Sequence, residues 1–600
     1  MGAKTHKRSA ELAPAIGSMG TVVKEWSSKR AKGDSRNEPG MMGILDIATF
    51  IIDEDIALRK MDRLREVVDG IVKRFGFEGV SAAPRRRKDP LLATRVIADG
   101  KRGEFKKRLE SSCAISVMLD ECTDADAEKC MSVYVRWVDE SGIASTSFLE
   151  LAKAPSSESE PLFAATKSIL QKWNVWGQVV ALGTDGASNM TGAHTGLGQR
   201  MQEDGKMHLL QIHCIAQRAA LCIPEVFSRV PELSEAEGVV RKIVSHFSHS
   251  TKRYTMLHDF QEHCGEAVRK LRQIHEIRWY SRYATLTSIR RSAESLAQYF
   301  ATEEPRSDIS AVIGTYHFQR ATAIMCDVLS IMNRLSLFFQ KDSIDLGRYE
   351  AELHVARTSL QTLVRDLGPA ELVFLESKKQ ALSEMSPPGY RDATTADEDG
   401  NHFVVVDETN DYVSLKKRIA DCLLAQLSAR FPSAEAITVF RVFNVERTPN
   451  DMKDLRKYGL GSIRAIHNRF GEWAGVNLED VLQDWEGYKN RSHAMYRNER
   501  MTPSVRSRLL MDAKDAMPAL YKLMCVEHVL PFSTSAVERG FSRMNSIKNQ
   551  KRKKLGVETC NDLMTAALCP CDVRADEFCR ATAGLAVAGD NDDRDDERKL

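Results

Sequence analysis

The sequence has no run of about 18 apolar residues, which is roughly the length that a membrane-spanning helix needs. Its N-terminus, MGAKTHKRSAELAPAIGSMG, also has no apolar segment of the kind found in secretory signals. We therefore expect an intracellular protein with no membrane span. At 600 residues the chain is too long for one hydrophobic core, so we expect two to four structural units.

A disulfide framework and an ordinary zinc finger are also lacking. The 13 cysteines are odd in number and spread along the chain, so disulfides are not expected to organise the fold. No Cys-x2-Cys pair is combined with a His-x3-5-His pair. The nearest approach to a zinc site is a group of cysteines whose spacing fits no common one: Cys560, Cys569, Cys571 and Cys579.

A strong excess of one charge is missing as well. The 85 Lys and Arg residues nearly balance the 83 Asp and Glu residues, and a net charge of +2 excludes a uniformly polybasic nucleic-acid binder. The charge is nevertheless uneven, because PRRRKDP at 84–90 and KNQKRKK at 548–554 are dense basic runs. One such run is usually a solvated face or tail, and several runs that flank a catalytic-looking core leave nucleic-acid binding open as an alternative.

Composition and periodicity divide the chain into tails, helical regions and a mixed core. In chain order we predict a disordered basic tail (1–40), a helical N-terminal region (41–111), the first part of a mixed α/β core (112–225), a helical insertion (226–525), the last part of the core (526–570) and an acidic disordered tail (571–600). Within the insertion, the polar segment SPPGYRDATTADEDGN at 386–401 predicts a mobile loop.

The order of elements in the core indicates its fold class. Three segments, CAISVMLDE, MSVYVRWVDE and IASTSFLELAKA, predict an antiparallel meander of strands. A helix over 159–173, a strand in VVALGTDG, a glycine-containing helix and a strand in MHLLQIHCIA follow, and QRAALCIPEVF begins another helix. This order, with acids ending the first and fourth strands, is that of an RNase H-like mixed sheet.

Three acids at strand ends and in a late helix are candidate metal ligands. Asp120 ends the first strand, Asp185 follows the fourth, and Glu538 lies in STSAVERGFS. Nucleases and transposases with this fold cut phosphodiesters with two divalent cations, and Mg²⁺ prefers oxygen ligands. Each acid alone also has a structural explanation: a strand end or helix N-cap, an Asp-Gly turn or N-cap, and a capping box with Ser535, respectively.

Five motifs, in order from about residue 112 to 568, resemble those of hAT-family transposases and their domesticated descendants. They are LDECTDADAEKCMSVYVRWVD, LGTDGASNMTGAHTGLGQRM, HLLQIHCIAQRAAL, IRWYSRYATL and PFSTSAVERGFSRMNSIKNQKRKKLG. The last resembles the segment called the hAT dimerisation region. The resemblance implies an α/β plus all-α architecture, in which an RNase H-like core is interrupted by a long helical insertion.

The resemblance also assigns roles to individual residues. Asp120, Asp185 and Glu538 fall on the family's three metal-binding acids, which would hold Mg²⁺ or Mn²⁺ and do the catalysis. The positions it implies for nucleic-acid binding are Cys214, Gln217, Arg278 and Trp279, although Trp279 is equally well explained as a half-buried helix aromatic. Those implied for dimerisation, on apolar stripes that could instead be core, are Phe541, Leu563 and Leu568.

Two departures from the family pattern weigh against an active enzyme. Gln217 stands where the family has a histidine, and glutamine cannot titrate near neutral pH. The family's BED-type zinc finger is not expected here, because no cysteine precedes Cys113. We therefore favour a domesticated or decayed descendant: a nuclear, DNA-associated protein that forms a homodimer or larger homo-oligomer. The alternative is an active cut-and-paste transposase, and the intact acids leave enzyme status open.

Overall fold

The chain divides into two compact units, each described here by itself. The computed structural model describes residues 47–52, 60, 64, 66–68, 89–124, 126–154, 156, 158–272, 280–342, 344–383, 411–431, 435–496, 498–549 and 552–571. One unit takes residues up to Phe105 together with those from Thr559 on, and the other is Lys106–Glu558. The predicted N-terminal tail, the loop at 386–401 and the predicted acidic tail beyond Cys571 lie outside the described residues.

The larger unit contains a five-stranded mixed sheet. Its strands are β1 (Ile115–Thr123), β2 (Lys129–Val138), β3 (Ala144–Lys153), β4 (Val179–Thr184) and β5 (Leu210–His213). They are arranged in the order β3-β2-β1-β4-β5. The β1–β2 and β2–β3 pairs are antiparallel, whereas β1–β4 and β4–β5 are parallel. The mixed α/β fold predicted from the element order is therefore confirmed.

Helices cover both faces of this sheet and make up most of the remaining described chain. Residues 47–52 are helical. The further helices are α1 (Asp89–Ser111), α2 (Ser159–Lys172), α3 (Ser188–Thr191), α4 (Leu197–Glu203), α5 (Ile215–Ala220), α6 (Cys222–Arg229), α7 (Pro231–Ser248), α8 (Thr251–His263), α9 (Tyr280–Arg290), α10 (Ala293–Glu303), α11 (Asp308–Ile313), α12 (Tyr316–Phe339), α13 (Leu346–Arg365), α14 (Pro369–Ser383), α15 (Asp411–Arg430), α16 (Glu435–Thr438), α17 (Met452–Lys457), α18 (Leu460–Ala474), α19 (Leu478–Arg491), α20 (Pro503–Ala516), α21 (Pro518–His528), α22 (Ser535–Ile547) and α23 (Val557–Leu568).

The inner strands are largely apolar because helices cover them on both sides. All six residues of β4 are buried, as are the first five of β1. On β2, successive side chains point to opposite faces. Met131 meets Thr166 of α2, with 3.8 Å between Sδ and Oγ1, whereas Tyr134, three residues further on, meets α22. The sheet is therefore the middle of three layers, between α2 and α22.

The helical insertion is built around α12, the most apolar long helix described. By length and composition this helix passes the test for a membrane span, with a mean hydropathy of 1.4, but 72% of that window is buried inside the protein. Its Arg320 lies in a buried ion cluster, in which Glu371 contacts Arg320 at 3.0 Å and Lys416 at 3.1 Å. A core helix whose buried charges are paired explains both observations.

In the smaller unit, the first part of α1 packs against α23. Arg102 contacts Asp562 at 2.6 Å, and the Lys101 ammonium donates to the Ala566 carbonyl at 2.7 Å. Contacts thus group the residues from Thr559 on with the N-terminal region. The sequence pattern, in contrast, groups 526–570 with the core, because spacing along a helix does not reveal which surface that helix covers.

Candidate active site

The register of two neighbouring parallel strands determines the positions of two of the predicted acids, Asp120 and Asp185. Met118 of β1 lies beside Gly183 of β4. Asp120 and Asp185 each come two residues later, so both carboxylates lie at the same edge of the sheet. Asp120 Oδ1 accepts the backbone N–H of the next residue at 2.8 Å, and Asp185 Oδ1 accepts that of Ala187 at 3.2 Å. The Asp-Gly turn expected at Asp185 is thus present in the same place as its candidate catalytic role.

The third acid, Glu538, is carried to this edge by α22. The helix approaches β2 so closely that a Cβ on Gly540 would lie 2.1 Å from the Tyr134 hydroxyl. Further along, Met544 contacts Cys122, which lies on the same face of β1 as Asp120, with 4.0 Å between the sulfurs. Glycine is therefore the residue that lets the helix seat Glu538 against the strand that bears Asp120.

A buried ion pair fixes the far end of the same helix. The Lys548 ammonium lies 2.5 Å from Asp124 Oδ2, just beyond the end of β1, and both side chains are at most 3% exposed. Asp124 also accepts the backbone N–H groups of Asp126 at 2.8 Å and Glu128 at 3.0 Å. The turn that follows the Asp120 strand and the end of the Glu538 helix are thus held together.

The segment before α22 rests on the start of α5 and on the insertion. The Ile215 N–H donates to the Phe532 carbonyl at 2.9 Å, and the Thr534 N–H donates to Cys214 Sγ at 3.3 Å. Ser535 does not form the expected capping box, because Thr534 occupies the N-cap and the Ser535 hydroxyl donates to the Gln340 carbonyl at 2.8 Å. The capping explanation of Glu538 is therefore wrong.

Asp120 is affected electrostatically by the other two candidate acids. Burial raises the pKa of Asp120 to about 7, and the nearby negative charges of Asp185 and Glu538 add to this increase. Burial also raises the pKa of Glu538, although a hydrogen bond from Gln217 and the charge of Arg539 oppose the change. Carboxylates that repel in a buried place form a site where a cation would be stabilising.

Of the four predicted nucleic-acid-binding residues the structure describes two, Cys214 and Gln217, and their surroundings differ. Gln217 lies beside the acids, where its side chain hydrogen-bonds to Glu538. Cys214 has no exposed surface, so its sulfur does not face a nucleic acid in this conformation and instead holds the segment before α22. Arg278 and Trp279 lie outside the described residues.

The predicted dimerisation residues are only partly accessible. Leu563 is 6% exposed and belongs to the packed face of α23, whereas Leu568 and Phe541 are half-buried. The stripe of α22 that includes Val537 and Met544 is buried against the sheet. Much of the apolar surface expected at a subunit contact is therefore used inside the chain.

Several buried polar atoms around the acids have no hydrogen-bond partner among the described residues. Ser132, which lies directly across β1–β2 from Asp120, has such a hydroxyl. The others at this edge are Glu121 Oε1, His213 Nε2 and Gln217 Oε1. Unsatisfied buried polar atoms usually mark ordered water or an ion. Their concentration beside three carboxylates indicates a place built for a hydrated ligand.

Two of these neighbours extend the site beyond the sequence prediction. Glu121 Oε2 accepts the Asn189 amide at 3.0 Å, and burial raises the pKa of Glu121. His213 packs on the turn after β4, where a Cβ on Gly186 would lie 2.3 Å from the ring. Burial, with Arg218 and Arg430, lowers the pKa of His213 to about 4, so its ring is neutral at neutral pH. Only a strand-end pattern could have indicated either residue.

The described residues around the three acids suit a Mg²⁺ or Mn²⁺ ion that keeps bound water better than an ion held entirely by protein ligands. Among the described residues, no three His, Cys, Asp or Glu side chains are arranged to hold an ion by themselves. Mg²⁺ does not require such a cage, because it usually keeps several waters and binds one or two carboxylates. The oxygen donors and the unpartnered polar atoms meet that need, with Asp120, Asp185 and Glu538 as the candidate ligands.

Two comparisons with known proteins bear on the domain that contains the sheet. Residues 93–196 match the model of the ZMYM1/FAM200 RNase-like domain family, DUF4371. That match includes Asp120 and Asp185 but ends before the insertion and Glu538. The chain is also 23% identical over 247 residues to General transcription factor II-I repeat domain-containing protein 2 of Bos taurus, an alignment that covers 40% of this chain. The alignment spans about a quarter (25%) of that relative's own length. The chain thus carries an RNase-like domain within a longer helical protein.

Proposed function

We propose that this protein is a domesticated or decayed descendant of an hAT transposase that associates with DNA in the nucleus. The observation that carries the proposal is that the charges of Asp185 and Glu538 both act on the buried Asp120, although Asp185 and Glu538 are separated by the whole insertion. Neither a helical scaffold nor an ordinary α/β binding domain needs three carboxylates gathered from such distant segments. The similarity to a ZMYM1/FAM200 RNase-like domain and to a transcription-factor-related protein supports the same assignment.

The arrangement around Glu538 favours loss of catalysis. In the resembling transposases the position of Gln217 is a histidine, which can exchange a proton near neutral pH. Gln217 can only hydrogen-bond, and its side chain is engaged with the Glu538 carboxyl group. In this proposal the three acids still bind an ion, but the histidine that the resemblance implies at position 217 is replaced by a residue that cannot transfer a proton.

Within the site, this chain's own residues would orient ligands and exclude side reactions. The N–H of Glu121 fixes one oxygen of Asp120, the N–H of Ala187 fixes one of Asp185, and Gln217 holds Glu538. A divalent cation, when bound, would neutralise phosphate charge and lower the pKa of a bound water. The alternative function, an active cut-and-paste transposase, is favoured by the intact set of acids.

The experiment that separates these functions is DNA cleavage beside DNA binding. The full chain is mixed with labelled duplex and single-stranded DNA, in Mg²⁺, Mn²⁺ or EDTA, with Asp185→Asn as the matched control. We expect binding without metal-dependent cleavage. Cleavage by the natural chain that Asp185→Asn abolishes would establish the active transposase instead, and failure to bind any DNA would contradict both.

We also propose self-association through the C-terminal region, in which Phe541 and Leu568 are each half-buried. The support is limited to partial exposure of these two side chains and the resemblance of this segment to a dimerisation region. Sedimentation at micromolar concentration tests the idea, since a monomeric natural chain would contradict it.

A further inference from the structure

The helix that carries Glu538 presents a continuous polar face to solvent. Ser542, Asn545, Ser546 and Asn549 are exposed. Ser542, Asn545 and Ser546 follow Glu538 at intervals of 4, 7 and 8 residues, which places them on one side of a helix with about 3.6 residues per turn. Asn549 lies two residues beyond the end of α22 at Ile547. The opposite side of α22, with Val537 and Met544, is buried against the sheet. The exposed face therefore leads directly away from the candidate active site.

The same segment has a charge of one sign in a chain that is otherwise balanced. From residue 539 to 557 there is no Asp or Glu. The basic residues in that stretch are Arg539, Arg543, Lys548, Lys551, Arg552, Lys553 and Lys554. Two of them are already paired, since Lys548 is buried against Asp124 and Arg539 contacts Asp342 at 2.5 Å. Lys553 and Lys554 are exposed.

Backbone hydrogen bonds hold Arg552 and Leu555 near the end of the helix. The Arg552 N–H donates to the Asn549 carbonyl at 2.8 Å, and the Leu555 N–H donates to the Arg552 carbonyl at 3.1 Å. The exposed lysines thus continue from the polar face at Asn549 instead of belonging to an unrelated tail.

We propose that this face of α22, with the lysines that follow it, binds the phosphate backbone of DNA and guides one strand away from Glu538. The face is defined by Ser542, Asn545, Ser546, Asn549, Lys553 and Lys554. Hydroxyl and amide groups, together with Lys and Arg, supply most contacts to DNA phosphates. The proposal rests on the proposed association with DNA and deepens it by naming the contacting surface.

Its dimensions and composition suit this partner better than a protein. From Glu538 to Ile547, its last residue, the helix rises about 14 Å, which corresponds to roughly four base-pair steps at about 3.4 Å each. The face lacks the exposed aromatic and apolar side chains that occupy the centre of protein interfaces. The Ser546 hydroxyl donates to the Ser542 carbonyl at 3.2 Å, a local bond that rotation of the hydroxyl can exchange for a phosphate.

The test is DNA binding in EDTA, where no cleavage can interfere. Fluorescence anisotropy with a short duplex is measured over a range of salt for the natural full chain, Lys553→Glu/Lys554→Glu and Asn545→Glu. The matched control is Lys453→Glu/Lys457→Glu, which reverses the same number of charges at exposed positions of α17. Thermal unfolding confirms that all variants are folded.

We expect the 553/554 variant to bind on the order of tenfold more weakly or worse near 0.1 M salt. Its plot of log K against log salt should be less steep by about 1.8, because each lost phosphate contact removes about 0.9. Asn545→Glu should weaken binding, whereas the control should bind like the natural chain. Equal losses in test and control variants would overturn the proposal, as would unchanged binding by the test variants.

Other outcomes separate this inference from the proposed function. If the natural chain binds DNA with a steep salt dependence but the α22 variants bind equally well, only the named surface is wrong. If the natural chain binds no DNA, the surface and the proposed function fall together. If the variants lose self-association while keeping DNA affinity, the face contacts a second copy of the chain and the proposal is contradicted.

Discussion

Replacing Gly540 with alanine tests how closely α22 must approach the sheet. A new Cβ would lie 2.1 Å from the Tyr134 hydroxyl and 2.9 Å from the ring carbon that bears it. The ring cannot move away easily, because Tyr134 is 6% exposed and packs edge-on against Phe148 with 5.4 Å between centroids. Overpacking of this kind costs about 1–3 kcal/mol. An approach of 2.1 Å calls for the upper part of that range, about 2–3 kcal/mol. The better helix propensity of alanine returns about 1 kcal/mol, so the net loss of unfolding free energy should be about 1–2 kcal/mol.

The chain offers a control with the opposite expected sign. Gly238 is also inside a helix, α7, but a Cβ there would meet nothing within 4 Å. Gly238→Ala should therefore raise the unfolding temperature, while Gly540→Ala lowers it. Adding Tyr134→Phe to Gly540→Ala removes the nearest atom and should recover about 1 kcal/mol, seen as non-additivity in a double-mutant cycle.

The measurements are calorimetric unfolding and hydrogen exchange, which locates the change. Faster exchange in residues 535–547 of Gly540→Ala, with little change elsewhere, is the expected pattern. If Gly540→Ala stabilises the protein as much as Gly238→Ala does, the close seating of the Glu538 helix on β2 is refuted.

Three further predictions concern charges and the C-terminal surface. Although burial opposes ionisation, Arg506 and His528 lower the pKa of Glu527 to about 2. The ionised carboxylate should therefore stabilise the fold by about 3 kcal/mol above about pH 4.5, and this contribution should be lost as pH falls toward 2. Glu527→Gln should make the free energy of unfolding depend less on pH across that window. Lys548→Met leaves the Asp124 carboxylate buried without its cation, and the unfolding free energy should fall by about 3 kcal/mol in denaturant titration; no loss would mean that the pair does not fix the end of α22. Leu563→Glu should destabilise the fold because Leu563 is buried, whereas Leu568→Glu should leave a folded protein whose sedimentation shows fewer dimers; a folded, dimeric Leu563→Glu protein would contradict this assignment of core and surface.

The central strands could be predicted from the sequence because the pattern of apolar and acidic residues that indicates each strand lies within a few positions of the chain. Inner parallel strands are mostly apolar runs: the buried run of β1 stops at Asp120, three residues before the strand itself ends at Thr123, and Asp185 directly follows β4. The glycine-containing helix predicted after β4 is divided in the structure at its glycines, into Ser188–Thr191 and Leu197–Glu203. Each of these features depends on residues within a few positions of one another.

Helix boundaries in the insertion were harder to predict. The helical pattern over 283–302 is divided between α9 and α10, and that over 505–525 is divided at Pro518 between α20 and α21. Apolar spacing continues through such breaks because both helices cover the same core. Proline signals the second break, but the first one, near Ser292, has no such signal.

Long-range contacts of the site were beyond local reasoning. The pattern around Glu538 fits a capping box equally well, and only the position of Gln340 shows that the Ser535 hydroxyl is used elsewhere. Gln217 was identifiable as a departure from a motif, but its contact with Glu538 joins residues more than 300 positions apart. Physical pairing over that distance depends on how the insertion folds, which no local pattern encodes.

The most direct test of the account is Mn²⁺ binding by the natural full chain, beside Asp185→Asn and Glu538→Gln. Each protein is titrated with Mn²⁺ by calorimetry, and its unfolding temperature is followed at millimolar metal. If Asp120, Asp185 and Glu538 form one site, the natural chain binds Mn²⁺ and is stabilised by it, by about 2.7 kcal/mol when the metal is at 100 times its Kd. Both variants should then be folded but lose most of that binding and stabilisation. A Glu538→Gln protein that binds Mn²⁺ as tightly as the natural chain, or a natural chain that binds none, would contradict the central claim.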